Sequence, residues 1–137
     1  MQRYSNFGPT VLRFALGVIF LAHSAYLKVF IFTIGGTVGF FESLGLPGFL
    51  AYAVLFAETV GGILLILGVR VREAALVLTT VALGATWAHS SAGWLFTNAG
   101  GGWEYPLFLA IASLSVALMG PGALAVDKNT ATMAQAR

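Results

Sequence analysis

Residues 49–68 read FLAYAVLFAETVGGILLILG. Wound as an α-helix, a stretch of this length reaches about 30 Å, the thickness of a bilayer's hydrocarbon core. The stretch therefore predicts a membrane-spanning helix. Its one ionisable residue, Glu58, stands near the middle. A carboxyl at that depth costs ~2.5–3.5 kcal/mol on insertion scales unless it is neutral, paired or turned to a cavity. Gly61 and Gly62 follow one turn later on the same face, where their small size admits another helix. The most economical structural role for Glu58 is an ion pair with Lys28 or with a histidine of another span.

The rest of the chain has the same character. Of its 137 residues, 58% are hydrophobic and 9% charged, with a mean hydropathy of +0.89. A soluble domain of this size needs far more charge to stay in solution, so residues 1–137 form a single membrane domain. The formal charge of +2 is too small and too scattered for nucleic-acid binding. The absence of cysteine excludes disulfides, thiol redox chemistry, cysteine-ligated iron–sulfur clusters and covalent haem attachment.

The pattern predicts an all-α four-helix bundle with spans at about 9–27, 49–68, 74–92 and 104–124. Pro9 suits a first helical turn. The first apolar run is long and is interrupted early by Arg13, which favours an uncleaved span over a signal peptide. After Lys28, Gly35-Gly36 is read as a helix break. Residues 37–44 then alternate aromatic and polar side chains, which predicts a short helix lying in the membrane surface on Phe40 and Phe41. The loop from Gly93 to Tyr105, rich in Gly and Trp, predicts an irregular segment with Trp94 and Trp103 at headgroup level. Residues 127–137 read as a polar, disordered tail.

Four spans put both termini on one side. Arg3, Arg13, Arg70, Arg72, Lys128 and Arg137 flank that side, whereas Lys28 flanks the other. The excess of positive charge assigns the first side to the cytoplasm of a bacterial-type inner membrane. Glu58 then lies roughly 13 Å below the outer surface. His23, Lys28, His89 and Glu104 fall near the outer ends of their spans, so five ionisable residues from four spans share the outer half. Gly17 and Ser24 mark the packing stripe of the first span, as Gly61 and Gly62 mark that of the second.

This set suits a quinone or a similar small lipophilic ligand. Histidine and carboxyl groups both form hydrogen bonds and exchange protons with a ring carbonyl or hydroxyl. Glu58, His23 and His89 are the proton-exchanging candidates. Lys28, Arg13, Trp103 and Glu104 are the candidate binding contacts, and Phe20, Tyr26, Phe56, Trp87 and Trp103 are available to flank a flat ring. Each has a plainer role as well. Lys28 can snorkel to the headgroups, Glu104 can cap the fourth span, the histidines can bond neighbouring helices, and Arg13 can anchor the cytoplasmic end. Two histidines are the minimum for a non-covalent haem, and no local metal motif is present, so no metal site is expected. The competing class of function is a non-enzymatic membrane scaffold or carrier whose polar cluster only fixes the packing.

Several short matches occur in order along the chain. They are Arg13 and Gly17 in LRFALGVIF, Lys28 closing the first span, the Leu44-Gly45-Leu46-Pro47 turn, Glu58 through Gly61-Gly62 to Leu67-Gly68, and the loop GWLFTNAGGGWEYP. Together they resemble the DoxX family of small membrane proteins. The resemblance implies a subunit tied to quinone-linked redox, similar to the small subunit of thiosulfate:quinone oxidoreductase or to members of oxidative-stress complexes with a sulfurtransferase and a superoxide dismutase. Partner redox subunits or self-association are expected on that basis. An anionic substrate would be attracted by Lys28.

Overall fold

The structure, a computed structural model, describes residues 6–127. Among them there are five α-helices and no strand: α1 Phe7–Leu21, α2 Thr33–Ser43, α3 Phe49–Leu67, α4 Val71–Ala88 and α5 Glu104–Met119. The forecast tail falls almost wholly on residues 128–137, outside the described residues, as do Arg3, Lys128 and Arg137.

Three helical stretches are long and apolar enough to cross a membrane: Phe7–Ile31, Phe49–Leu67 and Val71–Ala88. The fourth, α5, has 16 residues and stops at Met119, short of the expected 124. It is about 24 Å long, less than a hydrocarbon core. Contacts run from α1 to α3, from α3 to α4, from α4 to α5 and from α5 back to α1, and those of α4 with α5 are the most extensive. Small side chains make that contact close. Ala74, Ala75 and Ala82 of α4 and Ala110, Ala112, Ser113 and Ala117 of α5 are all buried. Large apolar residues such as Phe14, Phe56 and Leu118 face outward, as lipid-facing positions should.

The first span is not a plain α-helix. From Ala22 to Ile31 it is wound as a π-helix, closed by Phe32 N–H donating to Leu27 O at 2.8 Å. At the switch, His23 Nδ1–H donates to Ile19 O at 2.9 Å and Ser24 Oγ–H to Leu21 O at 3.2 Å. Both bonds add side-chain donors to the carbonyls of the turn that precedes the switch.

The expected break at Gly35-Gly36 is in the wrong place. Both glycines lie inside α2, and the chain turns at Thr33, where φ is +64°. The Thr33 hydroxyl accepts the Gly36 N–H at 3.2 Å, so it caps the first turn of α2. Thr37 Oγ–H is shared between Thr33 O at 2.9 Å and Lys28 O at 3.2 Å, and the second contact ties α2 to the π segment. α2 ends in a Schellman turn, with Leu46 N–H donating to Phe41 O and Gly45 N–H to Glu42 O.

α1 and α3 touch backbone to backbone. A Cβ on Gly17 would stand 2.7 Å from Gly62 O, and one on Gly62 would stand 2.9 Å from Gly17 O. Gly61 is a different contact, filled by the Leu78 side chain of α4.

Candidate functional site

The lower end of the molecule, where α1 begins and α3 finishes, is a backbone lock. α3 stops at Gly68, whose φ of +72° turns the chain. Gly68 N–H and Val69 N–H both donate to Leu64 O. The carbonyls of Leu65 and Ile66 are left over, and the Arg13 guanidinium takes both, at 2.5 and 2.9 Å. Arg13 also donates to Pro121 O at 2.8 Å and Leu124 O at 2.7 Å, in the segment after α5. That segment runs beside both neighbours. Val126 N–H reaches Leu67 O, and Ala123 N–H reaches Asn6 O. A cation at the carbonyl end of a helix is favourably placed, and here it also supplies the donors those carbonyls lack. Arg13 is 2% exposed, so it is a buried clamp at the opposite end from the other candidates rather than an exposed anchor.

The upper end gathers the ionisable side chains. The π segment and α3 are joined by an ion pair, Lys28 Nζ to Glu58 Oε2. The Glu58 side chain is 6% exposed and that of Lys28 21%. Burying two charges is tolerable when each neutralises the other, and removing one partner leaves a charge uncompensated. His23 lies within electrostatic reach of Glu58. In α-winding, residues five apart point about 140° away from one another. Bonding from i to i+5 brings them back toward one side. The π segment thus presents His23 and Lys28 together, which an α-helix of the same sequence would not do.

The tautomers follow from the partners. The carbonyl of Ile19 can only accept, so His23 carries its hydrogen on Nδ1, and in the neutral ring Nε2 is an acceptor. His89 closes α4 in the same way, with Nδ1–H donating to Gly100 O at 3.0 Å. Each imidazole also lies against an aromatic ring of another helix. His23 faces Tyr105 of α5 at a centroid distance of 5.9 Å and 29° between planes, and His89 faces Phe40 of α2 at 5.9 Å and 24°.

The five ionisable residues expected to share the outer half therefore divide. Lys28, Glu58 and His23 form one group. His89 belongs to the contact between α2, α4 and the Gly-rich loop. Glu104 is turned to that loop, its Oε1 accepting Phe96 N–H at 3.0 Å. Trp103 stands edge-on to Trp94 at 4.5 Å. Phe20 is in the core, while Tyr26, Phe56 and Trp87 face outward. Among the described residues no three His, Asp or Glu side chains converge as metal ligands.

The contact of Tyr105 with His23 and the Thr37 bond to Lys28 are absent from a reading of the sequence alone. Tyr105 adjoins Glu104 in the first turn of α5, at the same end as Lys28, so its position carried a signal. Thr37 could not be paired with Lys28 before the turn at Thr33 was known.

Comparison with known proteins gives two positive findings. The DoxX family model matches residues 8–91. The chain is also similar to "Putative oxidoreductase CatD" of Bacillus subtilis (strain 168), at 32% identity over 127 residues, covering 93% of this chain and 90% of that relative. No solved structure matches.

Proposed function

From the premise that this chain belongs to the DoxX family, we propose that it serves quinone-linked redox metabolism in a bacterial inner membrane, binding a quinone or similar lipid-soluble molecule in the outer half of a four-span bundle. It is a multi-pass membrane protein, and its relative is named as an oxidoreductase. The observation that carries the ligand site is the Lys28–Glu58 pair, buried at membrane depth with His23 within electrostatic reach.

These residues fit the head of a quinone. A lysine ammonium has three N–H donors, and among the described residues Lys28 Nζ donates one hydrogen bond, to Glu58. Another can therefore meet a ring carbonyl. His23 Nε2 and the Glu58 carboxylate can each accept a hydroxyl proton from the reduced ring and hold it. A bound quinone would supply the two-electron chemistry, since the sequence has no cysteine to hold an iron–sulfur cluster. Electrons would pass from a second bound molecule or from the cofactor of a partner subunit.

Support for four crossings comes from the lower end. Asn6, the end of α3 and the segment after α5 lie side by side there, with Arg70 capping α4 and Arg72 in its first turn. Both termini would then be cytoplasmic by the excess of positive charge on that side.

A scaffold reading is favoured by one observation, that Glu58 already has a partner. Glu58→Gln separates the two. The ligand reading expects native-purified protein to carry a quinone detectable by mass spectrometry, with the variant folded but depleted of it. The scaffold reading expects a loss of stability and an unchanged profile of co-purifying molecules. A wild-type protein that carries no quinone and binds none sinks the proposal.

A further inference from the structure

We infer that the lipid-soluble ligand first docks in a groove on the outward flank of α5, a waiting position from which its ring goes on to the His23–Glu58–Lys28 group, with Tyr105 standing between the two. This deepens the function proposed above and rests on it. The groove has a volume of about 410 Å³ and is lined by Trp94, Phe96, Glu104, Tyr105, Phe108 and Ile111, among others. That volume is within the ~300–1,000 Å³ usual for small-molecule sites, which are mainly apolar with a few placed polar groups.

The wall of the groove is held in place by the chain itself. The loop doubles back on the start of α5, with Trp103 N–H donating to Gly93 O and Glu104 N–H to Trp94 O, both at 3.1 Å. Glu104 Oε1 fixes the backbone of Phe96, and Trp103 supports the Trp94 ring. The groove is therefore preformed, which lowers the ordering needed on binding.

Its polar chemistry selects one kind of occupant. The second oxygen of Glu104 is an acceptor, and among the described residues no hydrogen bond engages the Tyr105 hydroxyl, which is a donor. Adjacent donor and acceptor suit a ring that carries a carbonyl in one state and a hydroxyl in another. Glu104, Phe108 and Ile111 follow one helical stripe, and Phe108 and Ile111 are 62% and 57% exposed. An apolar tail can lie along them into the bilayer. Tyr105 lines this groove and also stacks on His23, so it links the groove to the buried group.

The test uses the full chain in detergent with ubiquinone-1 as probe, measured by equilibrium dialysis. Ile111→Trp fills the groove from a lipid-facing position and is expected to weaken binding at least tenfold. Leu118→Trp, further along α5 and equally outward, is expected to bind as wild type. Tyr105→Phe removes the donor and is expected to weaken the quinone several-fold. Quenching of tryptophan fluorescence by the probe should fall in Trp94→Phe. If Ile111→Trp binds as wild type while Glu58→Gln does not, the groove is the wrong place and the proposed function stands. Equal weakening by both tryptophan insertions also overturns the groove. If wild-type protein shows no saturable binding, both fall.

Discussion

Arg13 and Glu58 are 2% and 5% exposed, and they are stabilised by different chemistry. Glu58 meets an opposite charge. Arg13 instead meets four carbonyls from α3 and from the segment after α5. Lys28→Met should therefore destabilise by about 3–5 kcal/mol, the cost of leaving one member of a buried pair alone. The double variant Lys28→Met with Glu58→Leu should recover most of that, because an apolar pair of similar size leaves no charge behind. Thermal unfolding in detergent reads both, and a double variant as unstable as the single one would show that the pair is not the cause. Arg13→Lys should cost about 3 kcal/mol in the same assay. A single ammonium cannot span carbonyls that the planar guanidinium reaches in a fixed fork, and hydrogen bonds to charged groups contribute about 1.5–3 kcal/mol each. The pairing of Glu58 with Lys28 was legible in the sequence, because a carboxyl at that depth demands a cation and few were available. The role of Arg13 was not. Its acceptors are backbone atoms, which every residue carries, and they lie 52 to 111 positions away.

Among the elements, α1 and α3 are set by the meeting of Gly17 and Gly62. Gly17→Ala should destabilise by about 1–3 kcal/mol, since the added methyl meets a backbone carbonyl and Ile66 at 2.7 Å and the helices must part. Gly84→Ala is the matched control. Nothing lies within 4 Å of its added Cβ in the middle of α4. It should stabilise by roughly 0.5–1 kcal/mol through helix propensity alone. Opposite shifts in unfolding temperature are the expected result, and shifts of the same sign would remove the close approach as the explanation. The spacing of small residues made this contact readable. The turn at Thr33 and the π segment were not readable. Glycine is the usual helix breaker, so Gly35-Gly36 drew the boundary, whereas a threonine at φ +64° is an uncommon conformation held by its surroundings. The π winding begins where His23 and Ser24 bond back to the preceding turn, but Thr59, Thr79 and Ser115 do the same inside ordinary α-helices, so these residue types carried no signal for it.

For the whole molecule, hydropathy made the helical class and the spans of α1, α3 and α4 legible, since each is a long apolar run. The end of α5 was misjudged because residues 120–126 are mostly apolar, yet they form an irregular, bent segment, with Gly120, Gly122 and Leu124 at positive φ, that Arg13 binds. That segment gives the topology its sharpest consequence. It joins the start of α1 and the end of α3 at one pole, while the Trp-rich loop and the end of α4 are at the other. If the chain crosses four times, the turn before α4 and the loop before α5 face opposite compartments. The chain has no cysteine, so single cysteines report without background. Thr97→Cys, on the exposed loop, should react with a membrane-impermeant maleimide added outside intact cells. Glu73→Cys, exposed at the start of α4, should react only after permeabilisation. The reverse pattern would invert the molecule and move Glu58 and Lys28 to the inner half. Labelling of both sites from outside would mean that α4 does not span, and the four-crossing arrangement would have to be abandoned.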